Sequence, residues 1–97
     1  MALKTIPFDA AVVLDTQEAI EVYIEDAFES RDPAVISYAL GVVARASNVS
    51  QLAEKTGLSR QAIYKALSAD GNPEFATILK VLDGLGLELT ARTKVAA

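Results

Sequence analysis

The side chains best equipped for chemistry in this sequence are hydrogen-bonding ones, and they are densest at Ser59, Arg60, Gln61, Tyr64, Lys65 and Ser68. Ser59 suits an N-cap, so Arg60 and Gln61 fall in the first turn of the helix it would open. A guanidinium can donate two parallel hydrogen bonds to guanine O6 and N7, and a carboxamide can pair bidentately with adenine N6 and N7. Ser50, Gln51, Ser59 and Lys65 suit phosphate oxygens instead, contacts that fix register without reading sequence. Tyr64 suits a phosphate, a thymine methyl or ordinary half-buried packing. Catalysis has less to work with. The chain contains no histidine and no cysteine, so the commonest general base, the commonest metal ligand and any thiolate are missing. No Ser, Lys or Asp is spaced to set a nucleophile beside a base. The reading is therefore no enzyme, no catalytic residue, no metal, no cofactor and no small-molecule substrate.

Positioning such a face requires two short helices crossing through a tight turn, and Val49 to Ser68 has the composition for it. Ser50 is read as capping a helix from Gln51 to Thr56, with Ala53 small enough for the second helix to cross. Gly57 tolerates the positive φ of the turn, and Leu58 plugs it into the core. Ser59 caps a second helix, Arg60 to Ser68, with Ala62, Ile63, Ala66 and Leu67 as its buried stripe. The same caps would serve a plain helical hairpin. What sets this window apart is a far side made entirely of hydrogen-bonding residues.

Elsewhere, Asp9 is read as capping a short turn over Ala10 to Leu14, and Asp15 with Glu18 as a capping-box-like start. Ile20, Tyr23, Ile24, Ala27 and Phe28 recur at helical spacing as one apolar stripe. Asp32-Pro33 opens a helix to about Ala46, with Ile36, Ala39, Leu40 and Val43 inward. Gly41 in its interior predicts close packing. Asn72 and Pro73 are read as N-cap and N1 of a last helix that buries Phe75, Ile78, Leu79 and Leu82 and ends at Gly84. Leu87 to Arg92 alternates apolar and polar, the pattern of a strand. The prediction is an all-α fold of five or six helices plus a short C-terminal β-strand. One domain spans 1–97: an acidic segment (1–31), a helix-turn-helix core (32–86) and the strand (87–92).

The net charge of −4 and a pI near 4.6 argue against nucleic acid until the charge is mapped. Residues 1–32 carry two cations and eight acids, for −6, whereas 33–97 carry seven cations and five acids, for +2. The two parts suit two partners. Glu18, Glu21, Glu25 and Glu29 are the candidate partner-binding residues, the alternative being a merely solvated face. At 52% apolar residues the chain can build a core without disulfides. No long apolar run follows Met1, so neither a signal peptide nor a membrane span is predicted, and a cytoplasmic location follows.

These motifs have a family likeness. Asp32-Pro33, Ala39-Leu40-Gly41, Ala44-Arg45-Ala46, Gly57-Leu58-Ser59-Arg60, Tyr64-Lys65-Ala66-Leu67 and Gly71-Asn72-Pro73 resemble the probable addiction-module antidote proteins. These are helix-turn-helix antitoxins similar to the host-inhibition-of-growth antitoxin, within the phage-repressor-like superfamily. Val13, where an aromatic residue is usual, and Asn48-Val49, in place of a Gly-Met-like pair, depart from the pattern. The resemblance implies an antitoxin that represses its own operon by binding operator DNA and neutralises a RelE-like toxin. Such toxins act on RNA and are basic, which would give the acidic helix its partner.

Two other readings fit the residues. One is a stand-alone repressor without a toxin, and the other an interaction module that binds protein only. A homodimer is predicted because one reading helix covers only a few base pairs. Leu87 to Arg92 would pair with its symmetry mate in an antiparallel ribbon built from Leu85, Leu87 and Leu89, or within one chain with Leu3 to Ile6.

Overall fold

The computed structural model describes residues 14–68 and 70–95. Five helices follow one another: α1 Gln17–Glu29, α2 Pro33–Ala46, α3 Val49–Thr56, α4 Arg60–Ala66 and α5 Phe75–Gly84. Among the described residues there is no strand, and no helix is long and apolar enough to cross a membrane. The caps expected at Asp9 and the pairing of Leu3 to Ile6 lie outside the described residues. Leu14 is buried and not helical.

α1 begins one residue later than Asp15 would have it. The Thr16 hydroxyl, not the Asp15 carboxylate, accepts from the Ala19 N–H at 3.0 Å. The neighbouring Gln17 donates its Nε2 to the carbonyl oxygen of Leu85 at 2.9 Å, tying this first turn to the end of α5. The predicted stripe faces inward: Ile24 and Ala27 are buried, with Ile20, Tyr23 and Phe28 packed against the core. Asp32 and Pro33 open α2 as expected, with Asp32 Oδ1 accepting from Ala34 N–H at 3.0 Å. α1 packs principally on α2, and α2 reaches α3 and α4 from its other sides.

α2 is the central helix, with Leu40, Val43 and Ala44 wholly enclosed. Each of the larger two contributes about 1.5–3 kcal/mol by leaving water. A Cβ on Gly41 would collide with the Leu67 carbonyl oxygen and stand 3.2 Å from its carbon. The C-terminal end of α4 therefore sits on bare α2 backbone, which explains the glycine.

The later elements correct several expectations. α4 stops at Ala66 rather than Ser68, because the backbone leaves helical geometry at the buried Leu67, with φ −101° and ψ 36°. The chain then folds back tightly. Gly71 N–H donates to Ser68 O at 3.0 Å, and Gly71 itself lies against the carbonyl oxygens of Lys65 and Ala66. That turn consumes Asn72 and Pro73, so α5 starts at Phe75 after Glu74, which makes no side-chain cap bond. Its inward stripe is Ile78, Val81, Leu82 and Leu85, while Phe75 and Leu79 are 65% and 41% exposed. The helix ends at Gly84 as predicted, in a Schellman arrangement. Gly86 takes φ 81°, its N–H bonds Asp83 O at 3.0 Å, and Leu87 N–H bonds Leu82 O at 2.8 Å.

The strand expected over Leu87 to Arg92 does not form. A strand needs a second backbone, and this segment instead runs beside the side chains of α1, leaving a groove between them.

Two outcomes test this packing. Gly41→Ala should destabilise the fold by about 3 kcal/mol, read from urea denaturation, since backbone and not a flexible side chain blocks the new methyl. Burial pushes the Tyr23 phenol above its ordinary 10.0; nearby Tyr38 adds to the rise and Arg45 partly offsets it. A raised acid keeps its full stabilising contribution below 10.0 and loses it as pH climbs through the folded value. The melting temperature should therefore fall as pH rises past 10.0, and Tyr23→Phe should shrink that fall.

Candidate nucleic-acid interface

α3, the residues Gly57 to Ser59 and α4 form the two-helix unit that carries the predicted face. Asn48 opens it, not Ser50: Asn48 Oδ1 accepts from Gln51 N–H at 3.1 Å, and Ser50 is the second residue of the helix. At the other end Gly57 adopts φ 78° and ψ 10°, the left-handed conformation its sequence position predicted, and its N–H bonds Ala53 O at 2.9 Å. Thr56 locks the turn. Its buried hydroxyl donates to Ala53 O at 3.3 Å and accepts from Leu58 N–H at 3.2 Å. Leu58 is half-buried against the core, as expected of the plug.

Ser59 Oγ accepts from Ala62 N–H at 3.0 Å and starts α4. Ile63 and Leu67 are completely buried and Ala66 is half-buried. Ala62, placed on the inner stripe by spacing alone, is exposed instead. It lies in the first turn of the helix, and the buried positions are the later Ile63 and Leu67. Ser59, Arg60, Gln61, Tyr64 and Lys65 are all exposed, Tyr64 at 39%. Ser68 is half-buried, its hydroxyl donating to Lys65 O at 3.1 Å. Ser50 and Gln51 are exposed in the first turn of α3.

The electrostatics of this unit differ from those of the whole chain. From Asn48 to Ser68 the cations are Lys55, Arg60 and Lys65 and the only acid is Glu54. Two helix N-termini, at α3 and α4, add positive partial charge beside the exposed serines and glutamines. What the arrangement can do is present donors to an anionic, hydrogen-bonding surface. Among the described residues there is no cluster of three or more acids able to hold a metal ion.

The second set of predicted residues lies on α1. Glu18, Glu21, Glu25 and Glu29 are all exposed, and the helix contains no lysine or arginine to neutralise them. Glu21, Glu25 and Glu29 line the groove whose other side is the segment after Gly86; Glu18 does not. Leu87, Leu89, Arg92 and Lys94 of that segment also line it. Sequence reasoning missed them as neighbours of the acids. No local pattern signals a contact between stretches sixty residues apart.

The exposed cap predicts its own test. Ser59→Ala should cost about 1 kcal/mol of stability by urea denaturation, as loss of an N-cap acceptor usually does.

Comparison with known proteins adds to this geometry. The family model described as "Probable addiction module antidote protein" matches residues 4–93. An uncharacterized protein of Haemophilus influenzae is 44% identical over 81 residues, which is 84% of each chain. No solved structure matches.

Proposed function

The chain belongs to the probable addiction module antidote family, and from that premise we propose that it is a DNA-binding antitoxin acting in the cytoplasm as a homodimer. Family membership implies a toxin partner and a regulatory role. The finer reading is that α3 and α4 form a helix-turn-helix of the phage-repressor-like kind that binds operator DNA. The observation that carries it is the exposed first turn of α4, with Arg60 and Gln61 projecting beyond a Ser59 cap while Ile63 and Leu67 anchor the same helix. Such motifs direct the first turn of their second helix at base edges. Ser50, Gln51, Ser59 and Lys65 take the phosphates, and Tyr64 a phosphate or a thymine methyl. The toxin is RelE-like, and its basic surface is covered by Glu18, Glu21, Glu25 and Glu29 on α1.

The test is a gel shift with DNA from upstream of the chain's own coding sequence. With about three phosphates neutralised per half-site, log affinity should fall against log salt with a slope of roughly −5 for the dimer. Arg60→Ala should lose about 1–3 kcal/mol per half-site and relax preference at one base position. Lys65→Ala should weaken binding to every sequence alike and make the slope shallower by about one per half-site. Both side chains are exposed, so the melting temperature should not move, and toxin binding should survive. A slope near zero, or unchanged sequence preference in Arg60→Ala, would remove the DNA reading.

A further inference from the structure

We propose that the groove between α1 and the segment after Gly86 receives an extended, basic stretch of the protein partner, which pairs with residues 87–93 as an added strand. The proposal rests on the antitoxin reading in that the toxin would supply this stretch; the groove itself is argued from its walls. It measures about 1000 Å³. The buried Ile24 and Leu82 and the half-buried Phe28 give it an apolar floor, and Leu89, 39% exposed, stays uncovered on the far wall.

That far wall is a backbone without a partner. Leu87 N–H bonds Leu82 O at 2.8 Å, and beyond it residues 88–95 make no backbone hydrogen bond among the described residues. In an extended conformation Leu87, Leu89 and Ala91 share one face, with Glu88, Thr90 and Arg92 on the other. Leu87 already packs against the core. The stretch contains no proline or glycine, so each residue from 88 onward can join a ladder. Unpaired N–H and C=O groups of this kind are what an incoming strand bonds.

The helical wall sets the charge of the occupant. Glu21, Glu25 and Glu29 all line the groove and stand four residues apart, a row that rises about 6 Å per step. Alternate side chains of a strand repeat at about 6.6 Å. Three cations at alternate positions of one extended stretch therefore meet the three carboxylates with little drift. Ile24 and Phe28 form the neighbouring row of the same helix, so the side chains between those cations should be apolar. α1 contains no lysine or arginine to neutralise the glutamates. Arg31, Arg92 and Lys94 line the groove too, but none lies on α1; they oppose a basic occupant, and removing them should tighten its hold.

The probe is a fluorescein-labelled peptide alternating lysine and valine, followed by anisotropy with the full chain at about 0.15 M salt. It should bind saturably. A glutamate–valine peptide, or one with its lysines gathered in a single block, should bind at least about tenfold more weakly. The same peptide with its backbone amides N-methylated keeps its charge and loses the ladder, and should lose about tenfold as well. Glu25→Lys should weaken the probe at least about tenfold, whereas Arg92→Ser with Lys94→Ser should tighten it about threefold. All three side chains are exposed, so melting temperatures should not move. Hydrogen exchange should slow at residues 88–92 in the complex and stay unchanged in α4. No binding, indifference to N-methylation, or preference for the glutamate peptide would overturn the inference. A dimer of the chain that the probe splits would give the groove to a second copy and overturn it too. A toxin complex that forms while the probe does not bind would keep the antitoxin reading and remove this one; probe binding without any DNA binding would do the reverse to the DNA reading.

Discussion

The close approach of the end of α4 to the backbone of α2 is the contact on which the rest of the architecture turns. It exists because Gly41 leaves no side chain between the helices, so the Leu67 carbonyl rests where a methyl group would be. Once α4 is seated there, Ile63 and Leu67 must point into the core. Helical geometry then turns Gln61, Tyr64 and Lys65 outward, while Arg60, three residues before Ile63, is exposed at the first position of the helix. The Ser59 cap and the left-handed Gly57 set where the helix begins, and Gly41 sets which way it faces. The exposed polar face is thus a consequence of a contact on the opposite side of the same helix.

Features written in one or two residues were legible in the sequence. Asp32-Pro33, Gly57 and Ser59 each satisfy a backbone need that few other residues meet, and each sits where its chemistry predicts. Where two candidate caps lie within two residues of each other, local chemistry does not choose. Thr16 prevails over Asp15, and Asn48 over Ser50. In the first case Gln17 is held to the far end of α5 through the Leu85 carbonyl, a contact that lies 68 residues away. The exposed candidate DNA residues were likewise readable, since polarity at helical spacing reports exposure. The partners of the acidic face were not.

α5 shows why periodicity alone can point to the wrong side. Its apolar residues satisfy the i, i+3, i+4, i+7 pattern twice, as Phe75, Ile78, Leu79 and Leu82, and again as Ile78, Val81, Leu82 and Leu85. The second set faces the core because the tight turn at Gly71 delays the helix start and leaves Phe75 in an exposed first turn. The segment after Gly86 is a similar case. Its alternation of apolar and polar residues is real, but alternation provides only the faces of a strand, and the backbone partner must come from elsewhere.

A protein of net charge −4 can still meet an anionic polymer if its charges are kept apart, and the topology does this. α1, with five acids and no cation, has its principal contacts with α2, while α3 and α4 pack on the other sides of α2. Both charged faces are exposed to solvent, where salt ions shorten the reach of each to about 8 Å at physiological ionic strength. Lower salt would lengthen that reach and let the acids oppose any anionic partner of α4. A basic partner seated on α1 would cancel the same field at its source. The central apolar helix that carries the packing also separates the two charged faces, and for that reason a single small core can support both.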